Sequence, residues 1–305
     1  MRFVLAALVA LCGCSEPKRD RAAPPVSTAS EPAPSAPAEK AKPPGLGACG
    51  DSNSSETLAP GLELLTIRPK RTAAVDTADR CLRALRADPA HFRVALGASA
   101  RTGETHNAER WAKLRSAVAV TNASMFHAGG ASTGLLVDGE VLTATINKKF
   151  GAFMAANPRA AGKSLVTMWG RGCPNGSIEA LRRDYRTVVQ NYRLLDCNGA
   201  AIRWADEKVY SAAAVGIDRS GRVLFIHLRA PYKMSEFTEM LADPATGLDL
   251  AAAMYVEGGP EATLYIKSGD RQALFVGSFE TDFLESDDNK VAWPLPNVLM
   301  LVPTT

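Results

Sequence analysis

The stretch MYVEGGPEATLY, residues 254–265, contains the pattern that decides the fold. An apolar run ends on Glu257, two glycines follow, and a second apolar run begins after a proline. Short apolar runs bounded by Gly, Asn, Asp or Pro are typical of β-strands. Because glycine lets the backbone approach a ligand closely, we expect Glu257 to face a cleft, with the amides of Gly258 and Gly259 beside it.

Similar apolar runs occur along most of the chain, among them FRVALGA, VAVTNASMF, SLVTMW, RTVVQNY, RVLFIHL and NVLMLV. Helical spacing is confined to three segments, THNAERWAKLRSA (105–117), SIEALRRDY (177–185) and KMSEFTEMLADP (233–244). Strands therefore outnumber helices without regular alternation. This pattern predicts an α+β fold, a single domain over residues 48–305 with a mixed or antiparallel sheet and a few flanking helices.

The first residues are typical of an export signal. Arg2 precedes the apolar run FVLAALVAL, which is shorter than the ~20 residues that cross a bilayer. The run ends in LCGC, which resembles the box at which bacterial lipoproteins are cleaved and lipidated. We expect a signal peptide over residues 1–13 and a lipid on Cys14. Ser15 is not the aspartate associated with inner-membrane retention, so an outer-membrane anchor is favoured.

Residues 14–47 are rich in Pro, Ala and Ser and contain almost no large apolar side chains. Such a segment cannot bury enough surface to offset the entropy of ordering, which predicts a disordered tether. The tether would hold the following domain away from the membrane. We therefore expect the protein in the bacterial cell envelope, on the periplasmic or the surface face, in contact with the membrane through its lipid anchor alone.

Charge and cysteine content narrow the function classes. The formal net charge is +3 and no basic cluster with interleaved aromatics occurs, which argues against nucleic acid as a partner. Cys49, Cys81, Cys173 and Cys197 remain after Cys12 and Cys14 are set aside, and in an exported chain they predict two disulfides. Three pairings are possible, and proximity favours Cys49–Cys81 and Cys173–Cys197. The spacing gives no zinc pattern, so no metal is expected.

Two further segments resemble the first in ending an apolar strand on polar groups beside glycine. In TNASMFHAGG the strand ends at Asn122 and His127 precedes a glycine-rich loop, and VVQNY carries Gln190 and Asn191. Strand ends of this kind often converge on one cleft. GGASTG also contains G-x-S-x-G around Ser132, but a hairpin pattern follows where a helix is required, which favours a turn over a serine hydrolase.

Together these segments resemble the phosphodiester glycosidase family, specifically a bacterial lipoprotein branch of it. The family's best-known member removes N-acetylglucosamine from a phosphodiester on mannose. The similarity runs in order through TNASMFHAGGASTGLLVDG, NKKFGAFMAANP, VVQNYRLLDCNG, AAAVGIDRSGRVLFIHLR and MYVEGG, from about Ala59 to Pro303.

The resemblance implies a hydrolase without a cofactor, whose ligand is a sugar or sugar phosphate. It implies that Glu257 and Asn122 are catalytic. It implies substrate contacts from the following residues: Gln190, Asn191, His127, Gly134, Gly258, Gly259 and Thr263. Most glycoside hydrolases use two carboxyl groups, and Asp138 and Glu261 are candidates for the second.

Two positions depart from the family pattern. Ala212 occupies the place of an arginine, and Glu257 the place of an aspartate. Arginine binds phosphate oxygens in a bidentate way, so its loss weakens phosphate binding unless another cation replaces it. The candidates for that replacement are Arg203, Lys208, Arg193 and Lys149. The sequence therefore leaves two functions open: a hydrolase of glycosyl phosphodiesters or related envelope sugars, and a catalytically impaired relative that binds envelope glycans or a partner protein.

Overall fold

The apolar runs form three antiparallel β-sheets in the computed structural model, which describes residues 45–174 and 176–304. The strands are β1 (Ser54–Ala59), β2 (Leu62–Ile67), β3 (Leu82–Ala87), β4 (Phe92–Ala98), β5 (Ala119–Asn122), β6 (Leu136–Asp138), β7 (Glu140–Thr143), β8 (Ala152–Pro158), β9 (Val166–Gly170), β10 (Tyr185–Asn191), β11 (Val209–Asp218), β12 (Val223–Lys233), β13 (Leu250–Gly258), β14 (Thr263–Ser268), β15 (Arg271–Val276) and β16 (Asn297–Pro303).

The first sheet has the order β1-β2-β3-β12-β11-β13, the second β7-β6-β10-β8-β9 and the third β15-β14-β5-β16-β4. All strand pairs within the described residues are antiparallel. The expected antiparallel sheet is therefore confirmed, although it is divided into three and dominates the fold more than the term α+β suggests.

The stretch 254–265 is the point at which the chain passes from one sheet to another. Strand β13 pairs with β11 in the first sheet, whereas β14 pairs with β5 and β15 in the third. A short 3-10 turn, Gly259–Glu261, joins them. The two apolar runs therefore do not form a hairpin. Glu257, near the end of β13, and Glu261, in the turn, lie where the two sheets meet.

Few and short helices flank the sheets. They are α1 (Ser99–Thr102), α2 (Ala108–Arg115), α3 (Ile178–Asp184) and α4 (Met234–Ala242). Asn107 and Ser177 cap α2 and α3 by accepting backbone N–H groups of the first turn, and α4 ends before Pro244. The three helices predicted from sequence are therefore confirmed. None of the helices in residues 45–174 and 176–304 has the length and hydropathy needed to cross a bilayer.

A shared apolar core connects the three sheets. Leu64, Val215 and Phe225 of the first sheet are buried in the same cluster as Val189 of the second and Leu299 of the third. Burial of this kind of side chain stabilises by roughly 1.5–3 kcal/mol each, so the core fixes the relative positions of the strand ends that form the site.

The packed part of the chain begins before residue 48, the boundary expected from composition. Leu46 is buried in the core, and the carbonyl of Gly47 accepts hydrogen bonds from the guanidinium of Arg83. The expected tether therefore does not extend through residue 47. The signal peptide, Cys14 and the rest of the tether lie outside the described residues.

The cysteines pair as proximity favoured. Cys49 is bonded to Cys81, and Cys173 to Cys197. The first bond joins the start of the packed region to the residue before β3. The second joins the loop after β9 to the loop after β10.

Candidate functional site

Glu257 lies at the wall of a cavity of about 330 Å³, within the range typical of small-molecule sites. The lining residues are Met125, Phe126, Tyr192, Trp204, Asp206, Tyr210, Met234, Tyr255, Glu257, Gly258, Glu261 and Glu280. They come from the ends of β5, β10 and β13, the start of β11 and the loop after β15. The expected convergence of strand ends on one cleft is therefore observed, with an aromatic wall and several carboxyl groups.

Glu257 is nearly buried, with 9% of its surface exposed. Its Oε1 accepts a hydrogen bond from the Gly258 amide at 3.2 Å. Burial raises the pKa of Glu257 well above its usual range, and the negative charges of Glu261 and Glu280 add to this, while the amide opposes it. The surroundings of Glu257 therefore favour its protonated form, which is the form that a proton donor requires.

Three further carboxyl groups line the cavity, and one of them, Asp206, accepts a hydrogen bond from the Tyr210 hydroxyl at 2.7 Å. Glu261 ends the turn after β13, and Glu280 belongs to the loop between β15 and β16. Burial raises the pKa of Glu261, with a smaller contribution from the charge of Glu280. Burial also raises the pKa of Glu280, and the nearby charge of Lys208 opposes that shift. Glu261 was a sequence candidate, whereas Glu280 was missed because neither a strand end nor a glycine marks it.

The two glycines after Glu257 make room for cavity side chains. A Cβ on Gly258 would lie 2.0 Å from the Tyr255 hydroxyl oxygen, and one on Gly259 would lie 2.3 Å from Oε2 of Glu280. Gly259 also has φ +61°, a conformation that other residues rarely adopt. The glycines thus let Tyr255 and Glu280 approach the backbone beside Glu257.

The loop that carries Glu280 is held by β11 and β12. Ser211 Oγ accepts the amides of Ser278 and Phe279 at 2.9 and 3.1 Å. Arg229 donates to the Asp287 carboxylate at 2.7 Å, and also to the carbonyls of Val276, Asp287 and Asn289. These contacts fix both ends of the loop, so Glu280 is positioned by residues that do not touch the cavity.

Asn122 supports the site from behind. Its Nδ2 donates to the Glu261 carbonyl at 3.0 Å, and its Oδ1 accepts the Thr263 amide at 2.8 Å. The Thr263 hydroxyl also donates to the Glu261 carbonyl, at 2.9 Å. The catalytic role expected of Asn122 and the substrate contact expected of Thr263 stay predictions. Their polar groups hold the turn that presents Glu261.

Gln190 and Asn191 are likewise occupied by backbone groups. Gln190 Oε1 accepts the amides of Leu135 and Asn147, and its Nε2 donates to the carbonyls of Asn147 and Phe150. Asn191 donates to the Val256 carbonyl and accepts the amide of Tyr192. Both side chains are fully buried, and their expected contacts with sugar hydroxyls stay predictions. Asn191 holds the Tyr192 amide, and Tyr192 lines the cavity.

The other sequence candidates lie away from the cavity. His127 is exposed in a turn, where its amide donates to the Ala131 carbonyl. Gly134 is required for packing, because a Cβ there would lie 2.8 Å from the Phe150 ring. Asp138 lies near Arg101, 3.5 Å from its Nε. These three positions therefore take no part in the cavity that contains Glu257.

Neither of the remaining motifs forms a second site. The Ser132 hydroxyl donates to the Gly134 carbonyl at 2.9 Å, as expected of a turn residue. His227 is buried in β12, where Nε2 lies 3.2 Å from the Ala262 carbonyl oxygen, as expected of a structural histidine. Across residues 45–174 and 176–304, no group of His, Cys, Asp and Glu has the arrangement of a metal site.

Comparison with known proteins identifies the family of this chain. A sequence model of the phosphodiester glycosidases matches residues 115–302, which include every carboxyl group of the cavity. The chain belongs to the phosphodiester glycosidase family. A search of curated proteins gives no significant match.

Two solved structures share the phosphodiester glycosidase fold of this chain. One is the catalytic domain of zebrafish N-acetylglucosamine-1-phosphodiester alpha-N-acetylglucosaminidase, auto-inhibited by its pro-peptide. It has a TM-score of 0.58 at 15% identity, over 82% of this chain and 88% of that one. The other is a hypothetical protein from Synechocystis, with a TM-score of 0.56 at 11% identity, over 83% and 64%. At such low identity these similarities describe the fold alone.

The cavity of this family member has no arginine or lysine among its lining residues in the described chain. Ala212, at the place of the family arginine, is buried in β11 opposite Gly258. None of the four expected replacements reaches the lining. Lys208 pairs with Asp282 at 2.7 Å, Arg193 donates to the Arg171 carbonyl, and Arg203 and Lys149 are exposed. The cavity is therefore lined by acidic side chains, whereas a phosphate-binding site usually contains arginine or lysine.

Proposed function

We propose that this chain is a hydrolase that cleaves the glycosidic bond of a glycosyl phosphodiester or a related envelope sugar, with Glu257 as its proton donor. The observation that carries the proposal is a nearly buried Glu257 of raised pKa, facing a sugar-sized cavity lined by three more carboxyl groups. Membership in the family supports a hydrolase, and the aromatic wall suits the faces of a sugar ring.

In this proposal Glu257 donates its proton to the leaving oxygen as the glycosidic bond breaks. A second carboxyl group, Glu261 or Glu280, stabilises the positive charge that develops on the sugar or activates the attacking water. The negative charges of both groups also favour the protonated form of Glu257. Asn122 acts on Glu261 only through the turn, as a positioning residue.

The test is turnover by the purified full chain of a sugar-1-phosphodiester and a panel of p-nitrophenyl glycosides. Glu257→Gln keeps the shape of the side chain and removes its proton, so we expect kcat to fall by about 10²- to 10⁴-fold. The matched control is Glu140→Gln, an exposed carboxyl outside the cavity, which should keep wild-type turnover. Equal rates for wild type and Glu257→Gln would refute the assignment.

Full-chain protein without turnover on any substrate, but with retained glycan binding, would instead support the catalytically impaired relative. The feature that supports this alternative is that no lysine or arginine is found among the described residues that line the cavity. Glu261→Gln and Glu280→Gln distinguish the roles of these two carboxyl groups, because the one that activates water is expected to lose more kcat.

We also propose that the protein is exported and anchored by lipid on Cys14 to the outer membrane. The apolar run before LCGC supports this, and so do the two disulfides, which persist in oxidising compartments. Metabolic labelling with a fatty acid is expected to mark the wild type and not Cys14→Ser. Label on both proteins, or on neither, would contradict the anchor.

A further inference from the structure

The tyrosines around Glu257 differ in what their hydroxyl groups contact. Tyr192, Tyr210 and Tyr255 all line the cavity. The Tyr210 hydroxyl donates to Oδ2 of Asp206 at 2.7 Å, whereas the other two hydroxyl groups make no hydrogen bond within the described part of the chain. Two tyrosine hydroxyl groups can therefore donate to a ligand in this cavity.

Tyr255 is the more buried of these two tyrosines, with 7% of its surface exposed. Its hydroxyl oxygen nevertheless keeps accessible surface, unlike the indole Nε1 of Trp204, which is enclosed by the protein. A hydroxyl group at this depth loses most of its contact with water and gains no partner from the described residues in return. A ligand in the cavity would supply the hydrogen bond that the folded chain does not.

Strand β13 brings this hydroxyl group close to the proposed proton donor. Tyr255 precedes Glu257 by two residues. Its hydroxyl oxygen lies in the space that a side chain at Gly258 would fill, 2.0 Å from the position of a Cβ there. The amide of the same glycine donates to the Glu257 carboxyl group. Tyr255 and Glu257 therefore present their polar groups on either side of Gly258, within reach of one ligand.

The hydroxyl group of Tyr255 keeps its proton. Burial raises the pKa of Tyr255 well above its usual range, and the negative charges of Glu257 and Glu280 add to this shift. A neutral phenol donates one hydrogen bond and adds no negative charge to a cavity that carboxyl groups already line. It therefore suits an anionic acceptor, for which no lysine or arginine is found among the described lining residues.

We propose that the Tyr255 hydroxyl donates a hydrogen bond to a non-bridging phosphate oxygen of the substrate. The proposal rests on the proposed function and deepens it, because it assigns the phosphate contact to a neutral donor. Glu257 gives its proton to the bridging oxygen, the bond from that oxygen to the sugar carbon breaks, and water adds to the sugar. The phosphate is anionic before and after this step, and hydrogen bonds to charged groups are the stronger class. Tyr255 keeps its own proton throughout.

The experiment compares two substrates with the same sugar and anomer, the methyl phosphodiester of a sugar 1-phosphate and the p-nitrophenyl glycoside, which has no phosphate. Tyr255→Phe keeps the ring and removes the hydroxyl group. For the full chain we expect its kcat/KM to fall about 10- to 100-fold on the phosphodiester and less than about threefold on the aryl glycoside. A purely structural role, or a contact with the sugar, would lower both alike. An equal fall on both substrates, or no fall on the phosphodiester, would overturn the proposal.

Tyr210→Phe and Tyr192→Phe are the matched controls, because each removes a hydroxyl group of the same cavity. The Tyr210 hydroxyl is already engaged by Asp206, and Tyr192 is more exposed than Tyr255. Both variants are expected to keep the wild-type ratio of kcat/KM between the two substrates. If Tyr192→Phe lowered the ratio and Tyr255→Phe did not, the phosphate contact would belong to Tyr192 and the proposal would be refuted.

Binding separates this proposal from the proposed function if neither substrate is cleaved. Calorimetry would compare glucose 1-phosphate with glucose on the wild-type full chain and on Tyr255→Phe. A preference for the phosphate that Tyr255→Phe abolishes, without turnover by the wild type, would support the contact and refute the hydrolase. Turnover of the phosphodiester with a ratio unchanged by Tyr255→Phe would refute the contact and leave the hydrolase standing. Neither turnover nor a preference for the phosphate would refute both.

Discussion

Strand β11 lies next to two buried carboxyl groups whose surroundings are opposite. Asp218 ends the strand, and its carboxylate accepts the amides of Ser220 and Arg222 and pairs with the guanidinium groups of Arg222 at 2.7 Å and Arg86 at 3.4 Å. Glu257 lies opposite Ala213 of the same strand, and among the described residues its cavity is lined by three more carboxyl groups and by no lysine or arginine.

The contrast separates a structural charge from a functional one. A charge that is buried to stabilise a fold is surrounded by donors and opposite charges, as Asp218 is. A carboxyl group buried among like charges destabilises its own ionised form, and perturbed groups of this kind concentrate at functional sites. The first sheet therefore contains a charge of each kind. Asp218 lies in β11 itself, five residues after Ala213, the residue of β11 that pairs with Glu257.

The largest expected effect is on Asp218. Asp218→Asn removes the carboxylate that Arg86 and Arg222 share; Arg86 keeps its ion pair with Glu63 and Arg222 is partly exposed, so we expect a loss of about 1.5–3 kcal/mol, typical of a hydrogen bond to a charged group. We expect the free energy of unfolding in urea to fall by that amount. Asp249→Asn, which removes an exposed carboxylate near Arg219, should cost less than about 1 kcal/mol. If Asp218→Asn lowered the free energy of unfolding no more than Asp249→Asn does, the ion pairs of Asp218 would not stabilise the fold.

The second effect has the opposite sign. The raised pKa of Glu257 means that above about pH 4.5 the folded state binds more protons than the unfolded chain, so wild-type stability falls as pH rises. Gln at this position does not ionise. We expect Glu257→Gln to equal the wild type near pH 4 and to exceed it at pH 8 by about 1–3 kcal/mol, the cost of an uncompensated buried group.

Thermal or urea denaturation at the two pH values measures this difference. Glu140→Gln, with its exposed carboxyl group, should follow the wild type at both. If Glu257→Gln were destabilised at pH 8, as we expect for Asp218→Asn, then Glu257 would have a stabilising partner and the two carboxyl groups would not differ in kind.

The same contrast shows how far the sequence could be interpreted. The run MYVE followed by two glycines was enough to predict a strand, a turn and a carboxyl group at a cleft, because these depend on local chemistry. That β13 and β14 belong to different sheets could not be predicted, since strand partners are chosen by packing between distant segments. Glu280 was missed for the same reason: Ser211 and Arg229 bring its loop to the cavity from far along the chain.

Polar residues at strand ends show where residue type stops being informative. Asn122, Gln190 and Asn191 are expected to meet a ligand, and in the structure their side-chain amides donate to backbone carbonyls of the turn after β13, of the loop before β8 and of β13 itself. A buried backbone group must be paired, and an amide side chain satisfies a loop as readily as it satisfies a sugar. The residue type alone therefore does not distinguish a binding residue from one that supports the wall behind it.

The smallest expected effect concerns His227. It lies in β12 and pairs with Ala213 of β11, the residue whose other neighbour, in β13, is Glu257. Burial, with the charges of Arg83 and Arg229, lowers the pKa of His227 to about 3, while the Ala262 carbonyl opposes the shift. The unfolded chain binds this proton near pH 6.5, so the stability it contributes is present above that pH and is lost as pH falls toward 3.

Between pH 7 and pH 5.5 the wild type should therefore lose about 1 kcal/mol more than His227→Gln, whose amide can still donate to Ala262. His127→Gln, which changes an exposed side chain, should keep the wild-type slope. The two buried groups that flank β11 thus predict opposite trends, with Glu257 weakening the fold as pH rises and His227 as it falls. If the stability of Glu257→Gln and of His227→Gln departed from that of the wild type in the same direction as pH changes, burial would not be the main cause of both pKa shifts.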